Sequence, residues 1–354
     1  MKPLFNKVDK RILKQQLHAL PQGRLTLSLY KYHQISDPEV FRNRLYASWS
    51  ELGVLGRVYV AHEGINAQIS VLKDQFEIFK HSLYGIDFLN GVRLNIAIED
   101  DGKSFYILKI QVKKKIVADG LRDESFDVTH AGTHLNAAQF NTLADAPSTI
   151  IVDMRNHYES EVGHFRNAIC PDVDTFKVAL PTVEKLLADK KDENIVMYCT
   201  GGIRCEKASA WMKHRGFKNV FQLDGGIIEY ARQVTAQGRE NKFLGKNFVF
   251  DERLGERITH EVISVCHQCG TTSDSHTNCK NEGCHLLFIQ CAACAEKFDG
   301  CCSAECKEIV SLPFTEQKQL RKGKAQGRMV YKKGRSKSLK FKVQSSMSDT
   351  SRQP

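Results

Sequence analysis

Apolar and polar residues alternate with two different periods along this chain, and the change of period marks its domains. In residues 24–118, RLTLSLYKY reads as a half-buried strand with apolar residues near every second position. DPEVFRNRLYASWSELG follows as a helix, then two strands around HEGINAQIS, a helix in KDQFEIFKHSLYG, and strands in RLNIAIED and SFYILKIQVKKKIV. The order βαββαβ predicts an α+β, ferredoxin-like N-terminal domain over 1–118, entered through a helical lead. Residues 119–145 read as a polar connector. Over 146–241 the strands TIIVDMR, NIVMYC and NVFQLDGG are buried-type apolar runs alternating with helical KVALPTVEKLLADK and EKASAWMKHRG. That pattern predicts a parallel α/β sheet, in which ligands sit beyond the carboxyl ends of strands. Residues 242–310 form a cysteine-rich segment, and 311–354 a basic tail whose last residues are expected to be disordered.

Composition narrows the classes of function. No run of 18 apolar residues occurs in the 354, and MKPLFNKVDKRILKQQ lacks the apolar core of a signal peptide, so a cytoplasmic protein without a membrane role is expected. The net charge is +10, and residues 318–342 hold eleven Lys or Arg and no acid, which suits a polyanionic partner at least as well as a plain solvated extension. Nine of the twelve cysteines fall within 266–306, which in a reducing compartment points to metal or redox chemistry.

The strongest chemical signal is CTGGIR, residues 199–204, between a strand end and a helix start. Gly201 and Gly202 let the backbone curl so that successive N–H groups, with those of Thr200 and Ile203, converge on one centre. The helix dipole adds positive potential there, so the Cys199 thiol is expected to ionise early and act as a nucleophile. A buried structural thiol would gain nothing from this setting. Arg204 is expected to close the loop or bind an anion. Cys205 reads first as a packing residue and second as a resolving thiol.

Asp153-x-Arg155-x-x-x-Glu159, GHFxNAI at 163–169, the Cys199 loop and Leu223-Asp224-Gly225-Gly226 together resemble a rhodanese domain, whose loop cysteine carries a persulfide sulfur. With AHEGIN at 61–66, CTGGIRCEKAS, FVFDER at 248–253 and CHLLFIQC at 284–291, the chain resembles the bacterial tRNA uridine 5-hydroxylases up to about residue 315. The resemblance implies oxidation of the anticodon wobble uridine to 5-hydroxyuridine, with molecular oxygen as co-substrate and a reductant the sequence does not identify. Ala67-Gln68 departs from the smaller Gly-Thr pair of that family. No dinucleotide-binding fingerprint and no two-histidine-one-carboxylate set accompanies the loop. A sulfurtransferase using the same loop and a non-catalytic tRNA-binding module are the alternative readings.

The rhodanese resemblance implies that Asp153, Arg155 and His164 support the loop rather than act in catalysis. His62, Glu63 and Asn66 in HEGIN read equally as a hairpin turn or as substrate-binding groups. Cys266-x-x-Cys269 and Cys291-x-x-Cys294 are two knuckles suited to one structural zinc per chain. His267, His276 and His285 are further candidate ligands, and reduced packed thiols or disulfides the competing readings.

Overall fold

In the computed structural model, residues 8, 10–19, 23–123, 125–322 and 330 are described. The chain divides into two compact units between Ser264 and Val265. The first opens with α1 (Lys10–Ala19), β1 (Arg24–Tyr32), α2 (Pro38–Glu51), β2 (Leu55–Ala61), β3 (Gly64–Leu72), α3 (Phe76–Tyr84), β4 (Asn95–Ile96) and β5 (Leu108–Val112). Asp37 caps α2, accepting from the Val40 N–H, and Pro38 starts its first turn where no backbone donor is needed.

The sheet order is β4-β1-β3-β2-β5. Its first four strands are antiparallel neighbours in the ferredoxin-like arrangement, and β5 runs parallel to β2 at the outer edge. The fourth strand, expected across RLNIAIED, is two residues long and pairs with Leu27 and Ser28 in the middle of β1. Leu27, Leu29, Val58, Val60, Ile65 and Ile69 meet Trp49 of α2 and Phe79 and Leu83 of α3 in one core.

The parallel domain follows as β6 (Thr133–Leu135), α4 (Ala137–Ala144), β7 (Thr149–Asp153), α5 (His157–Ser160), β8 (Gly163–Phe165), α6 (Phe176–Leu186), β9 (Asn194–Tyr198), α7 (Ile203–His214), β10 (Asn219–Leu223) and α8 (Gly226–Ala236). The strands β6-β10-β9-β7 form one parallel sheet. Residues of α6 and α7 pack on one face, and those of α4 and α8 on the other. The connector expected over 119–145 is corrected here: β6 lies inside it and is an edge strand of this sheet, and α4 covers the sheet. β6 has three residues and little alternation, so the sequence offered no strand signal.

The start of the cysteine-rich domain at 242 is corrected too. β11 (Phe243–Asn247) pairs with β8, and β12 (Glu256–Arg257) with β11, which ties this stretch to the first unit. The second unit holds β13 (His276–Asn278), β14 (Leu287–Ile289), α9 (Ala292–Lys297), α10 (Ala304–Ser311) and α11 (Phe314–Arg321). The basic tail thus begins as a helix, and its charges beyond 322 lie outside the described residues. No helix among those described is long and apolar enough to cross a membrane.

Candidate active site

Cys199 stands at the carboxyl end of β9, the central strand position that the parallel topology favours for chemistry. It lies at no open mouth: the residue is fully buried. Gly202 turns the chain at φ +100°, and a Cβ there would lie 2.7 Å from the Tyr30 hydroxyl. That turn brings the Gly202 N–H to 3.2 Å from the Cys199 sulfur.

Burial pushes the Cys199 thiol up, but it is outweighed by a hydrogen bond from the Cys205 thiol, the Arg204 charge and the Arg204 and Gly202 amides. Together they bring its pKa down to about 6 from 9.0. Cys205, buried in the first turn of α7, is held protonated by burial and by the neighbouring Cys199. It packs in the buried cluster beside Cys199.

Arg204 reaches Glu159 through two hydrogen bonds of 2.7 and 2.8 Å. Glu159 is fully buried and also completes the capping box of α5 with Asn156. The guanidinium thus closes the loop onto α5 while its charge still acts on Cys199. Asp153 and Arg155 form a second buried pair behind the loop, and Arg155 also donates to the Gly163 carbonyl at 2.6 Å. That pair joins the end of β7 to β8. His164 on β8 makes a 3.1 Å contact through Nδ1 with the Phe165 carbonyl.

The LDGG motif holds the loop from the other side. Gly226 has φ +67°, and a Cβ on it would come within 2.5 Å of the Cys199 carbonyl oxygen. This close approach lets the Ile227 and Ile228 N–H groups at the start of α8 donate to the carbonyls of Cys199 and Thr200.

The ferredoxin-like domain supplies the remaining wall, which sequence reasoning missed. Asn95 of β4 donates to the Gly201 carbonyl at 3.3 Å, and Tyr32 of β1 to the Ile203 carbonyl at 3.3 Å. The Tyr30 hydroxyl donates to Glu206 at 3.0 Å, and the His134 Nε2 lies 3.0 Å from the same oxygen. Burial raises the Glu206 carboxyl, but the His134, Gln222 and Tyr30 contacts bring it below its ordinary value. Arg93 grips Asp224 of the LDGG motif through bonds of 2.7 and 2.6 Å. A cavity of about 420 Å³ lies between these groups, lined by Tyr30, Arg93, Asn95, His134, Gly201 and Asp224 among others. Glu206 and Asp224 stood inside quoted motifs. Nothing in the strand pattern of β1 and β4 marked Tyr30 or Asn95 as facing another domain.

Within HEGIN, His62 and Glu63 form the turn between β2 and β3 and Gly64, Ile65 and Asn66 open β3, and each of the three candidate groups has a structural partner. His62 Nδ1 lies 2.9 Å from the Ile35 carbonyl, and Asn66 donates to the Ile116 carbonyl at 3.3 Å. Glu63 accepts from the Ile116 N–H at 2.6 Å and from Lys207 of α7 at 2.8 and 2.9 Å. Lys207 also donates to buried Asp119 at 2.6 Å. The hairpin thereby latches the N-terminal sheet onto the helix that follows the loop.

In the second unit, Cys266, Cys269, Cys291 and Cys294 bring their sulfurs within 4.8 Å of one another, a donor set that could hold a metal ion. Cys279, Cys284, Cys302 and Cys306 do the same, where one four-thiolate site was expected. His267, His276 and His285 belong to neither set.

A glycine loop cradling a buried thiolate at the end of a parallel sheet is the arrangement of a rhodanese-type domain, and the family model for the rhodanese-like domain matches residues 136–233. The UPF0176 acylphosphatase like domain matches 24–116, and the rhodanase C-terminal family 244–307. The tRNA uridine(34) hydroxylase of Photorhabdus laumondii subsp. laumondii is 57% identical over 95% of this chain and 96% of its own length. Those of Pectobacterium carotovorum subsp. carotovorum and Escherichia fergusonii are 55% and 54% identical, again over 95% of this chain and 95% and 96% of theirs. The chain belongs to the tRNA uridine(34) hydroxylase family.

Proposed function

We propose that this protein is a cytoplasmic tRNA-modifying oxidoreductase that hydroxylates C5 of the wobble uridine, with Cys199 as its reactive thiolate. The observation that carries the reading is the Cys199 sulfur, 3.2 Å from the Gly202 N–H in a loop whose wall the ferredoxin-like domain completes, in a chain of this family. Hydroxylation replaces the C5 hydrogen by one oxygen atom of dioxygen. The other oxygen leaves as water, with two electrons and two protons drawn from a reductant.

The base enters the cavity beside Gly201, between Tyr30, Arg93 and Asn95. The Cys199 sulfur bonds to uracil C6 as the C5–C6 π pair moves onto C5, which makes C5 electron-rich toward the oxidant. C5 gives that pair to one oxygen of dioxygen, forming the C5–O bond as the O–O bond breaks and the second oxygen leaves as water with the reductant's two electrons and two protons. Loss of the C5 proton and cleavage of the S–C6 bond then restore the C5–C6 double bond and return the thiolate. Arg204, fixed by Glu159, is the positioning residue for the loop. The anticodon stem supplies phosphates for the basic C-terminal residues. A structural zinc on Cys266, Cys269, Cys291 and Cys294 belongs to the same reading.

Nucleoside mass spectrometry of tRNA from a strain lacking the gene tests it. The reading expects 5-hydroxyuridine to disappear from position 34 and to return with the gene. Undiminished 5-hydroxyuridine, together with persulfide formation from thiosulfate by the purified protein, would establish the sulfurtransferase alternative instead.

A further inference from the structure

The second unit has very little with which to hold itself together. Among its described residues the buried apolar side chains other than cysteine are Leu287, Phe288 and Ile289, all on β14. Beside them lie buried Cys266, Cys279, Cys294 and Cys301. Segments of this size with so small a core need covalent or metal cross-links, yet all twelve cysteines of the chain are free thiols.

The thiols are sorted in a particular way. Cys266 and Cys269 lie in the turn before β13, and they meet Cys291 and Cys294 at the start of α9. Cys279 and Cys284 lie between β13 and β14, and they meet Cys302 and Cys306 at the start of α10. Along the chain the two quartets therefore alternate pair by pair. In the second quartet, Cys284 and Cys302 are 3.7 Å apart at sulfur, as are Cys302 and Cys306. A tetrahedral zinc with Zn–S bonds of about 2.3 Å sets its sulfurs about 3.8 Å apart. Donors already face the sulfurs as they do around metal-bound thiolates: the Cys302 N–H lies 3.4 Å from Cys279 and the Asn281 amide 3.3 Å from Cys306.

We propose that Cys279, Cys284, Cys302 and Cys306 bind a second zinc ion, making this unit a two-zinc cross-brace in which alternate cysteine pairs share each ion. Binding replaces four S–H bonds by four Zn–S bonds and releases four protons, with no change of oxidation state. Each ion ties together chain segments that flank the other ion's ligands. Cys301 belongs to neither quartet, and its sulfur points to the Asp299 carbonyl at 3.8 Å. The proposal extends the single zinc above and does not depend on the hydroxylation reading.

Native mass spectrometry and elemental analysis of the full-length protein, purified reduced and without chelator, test it. Wild-type protein and Cys301→Ala are expected to carry two zinc ions per chain. The pair Cys284→Ser and Cys306→Ser is expected to remove the second ion, and Cys269→Ser with Cys291→Ser the first. Cobalt titration of metal-stripped wild-type protein should raise the thiolate-to-cobalt charge-transfer band until two equivalents are bound, which needs no variant to fold. A wild-type protein that holds one zinc, and keeps it in Cys284→Ser with Cys306→Ser, would overturn the second site. Metal-free protein with eight free thiols in the quartets, or with disulfides among them, would overturn both.

Discussion

The Cys205 thiol is the strongest of the contacts that oppose burial at Cys199, so replacing it by alanine perturbs the loop's chemistry without touching the nucleophile. A hydrogen bond to a charged group is worth about 1.5 to 3 kcal/mol, which corresponds to raising the Cys199 midpoint by about one to two pH units at 1.36 kcal/mol per unit. The midpoint should then move from about 6 to between 7 and 8. Because Cys199 is fully buried, alkylation rates would mix ionisation with access. Ultraviolet thiolate absorbance needs no reagent to enter, and subtracting the titration of Cys199→Ser removes the other cysteines.

The same group sets a stability slope. The unfolded thiol binds a proton up to its ordinary pKa of 9.0, whereas the folded one releases it above about 6. Stability from this group is therefore complete above 9.0, falls as pH drops, and is gone below about 6. Across that window wild type should gain about 1.4 kcal/mol per pH unit over Cys199→Ser, or about 4 kcal/mol in all. A wild-type midpoint near 9.0 would refute the cradle argument, and one at 6 that Cys205→Ala leaves in place would refute the part assigned to the Cys205 thiol.

Gly226→Ala forces a Cβ against the Cys199 and Thr200 backbone at a left-handed φ, so thermal unfolding should show a loss of about 2 kcal/mol or more, with a raised Cys199 midpoint. Lys207→Met strands Glu63 and buried Asp119 and should cost about 3 to 5 kcal/mol in denaturant unfolding. The Asp119 carboxyl is pushed up by burial but brought below its ordinary range by Lys115 and Lys207, so the loss should shrink toward acid as it protonates. Truncation after residue 322 preserves α11 and removes the eight remaining Lys and Arg of the 318–342 run. A salt titration of tRNA affinity should then lose about 0.7 to 0.9 from its log–log slope for each phosphate contact removed, and unchanged slopes would exclude the tail from binding.

The elements legible in the sequence were those whose burial is periodic. β1 alternates, β7, β9 and β10 are apolar runs, and the glycines at 201, 202, 225 and 226 have no use in a plain helix or strand. The Cys199 loop followed from these local signals. What was not legible depends on contacts between distant segments. β6 is too short to carry a period, and Glu63 looks like any turn residue until Lys207 meets it 144 positions later. Tyr30 and Asn95 occupy strand positions whose partner is another domain. The second cysteine quartet escaped notice because C-x4-C and C-x3-C spacings are less regular than the two C-x-x-C knuckles, and only the fold pairs them.

In the function proposed above, the Cys199 thiolate is the group through which this protein hydroxylates wobble uridine. Its most direct test is nucleoside mass spectrometry of tRNA from the gene-deleted strain carrying either wild-type protein or Cys199→Ser at equal abundance. 5-Hydroxyuridine at position 34 should be restored by wild type and be absent with Cys199→Ser. Equal restoration by both would contradict it.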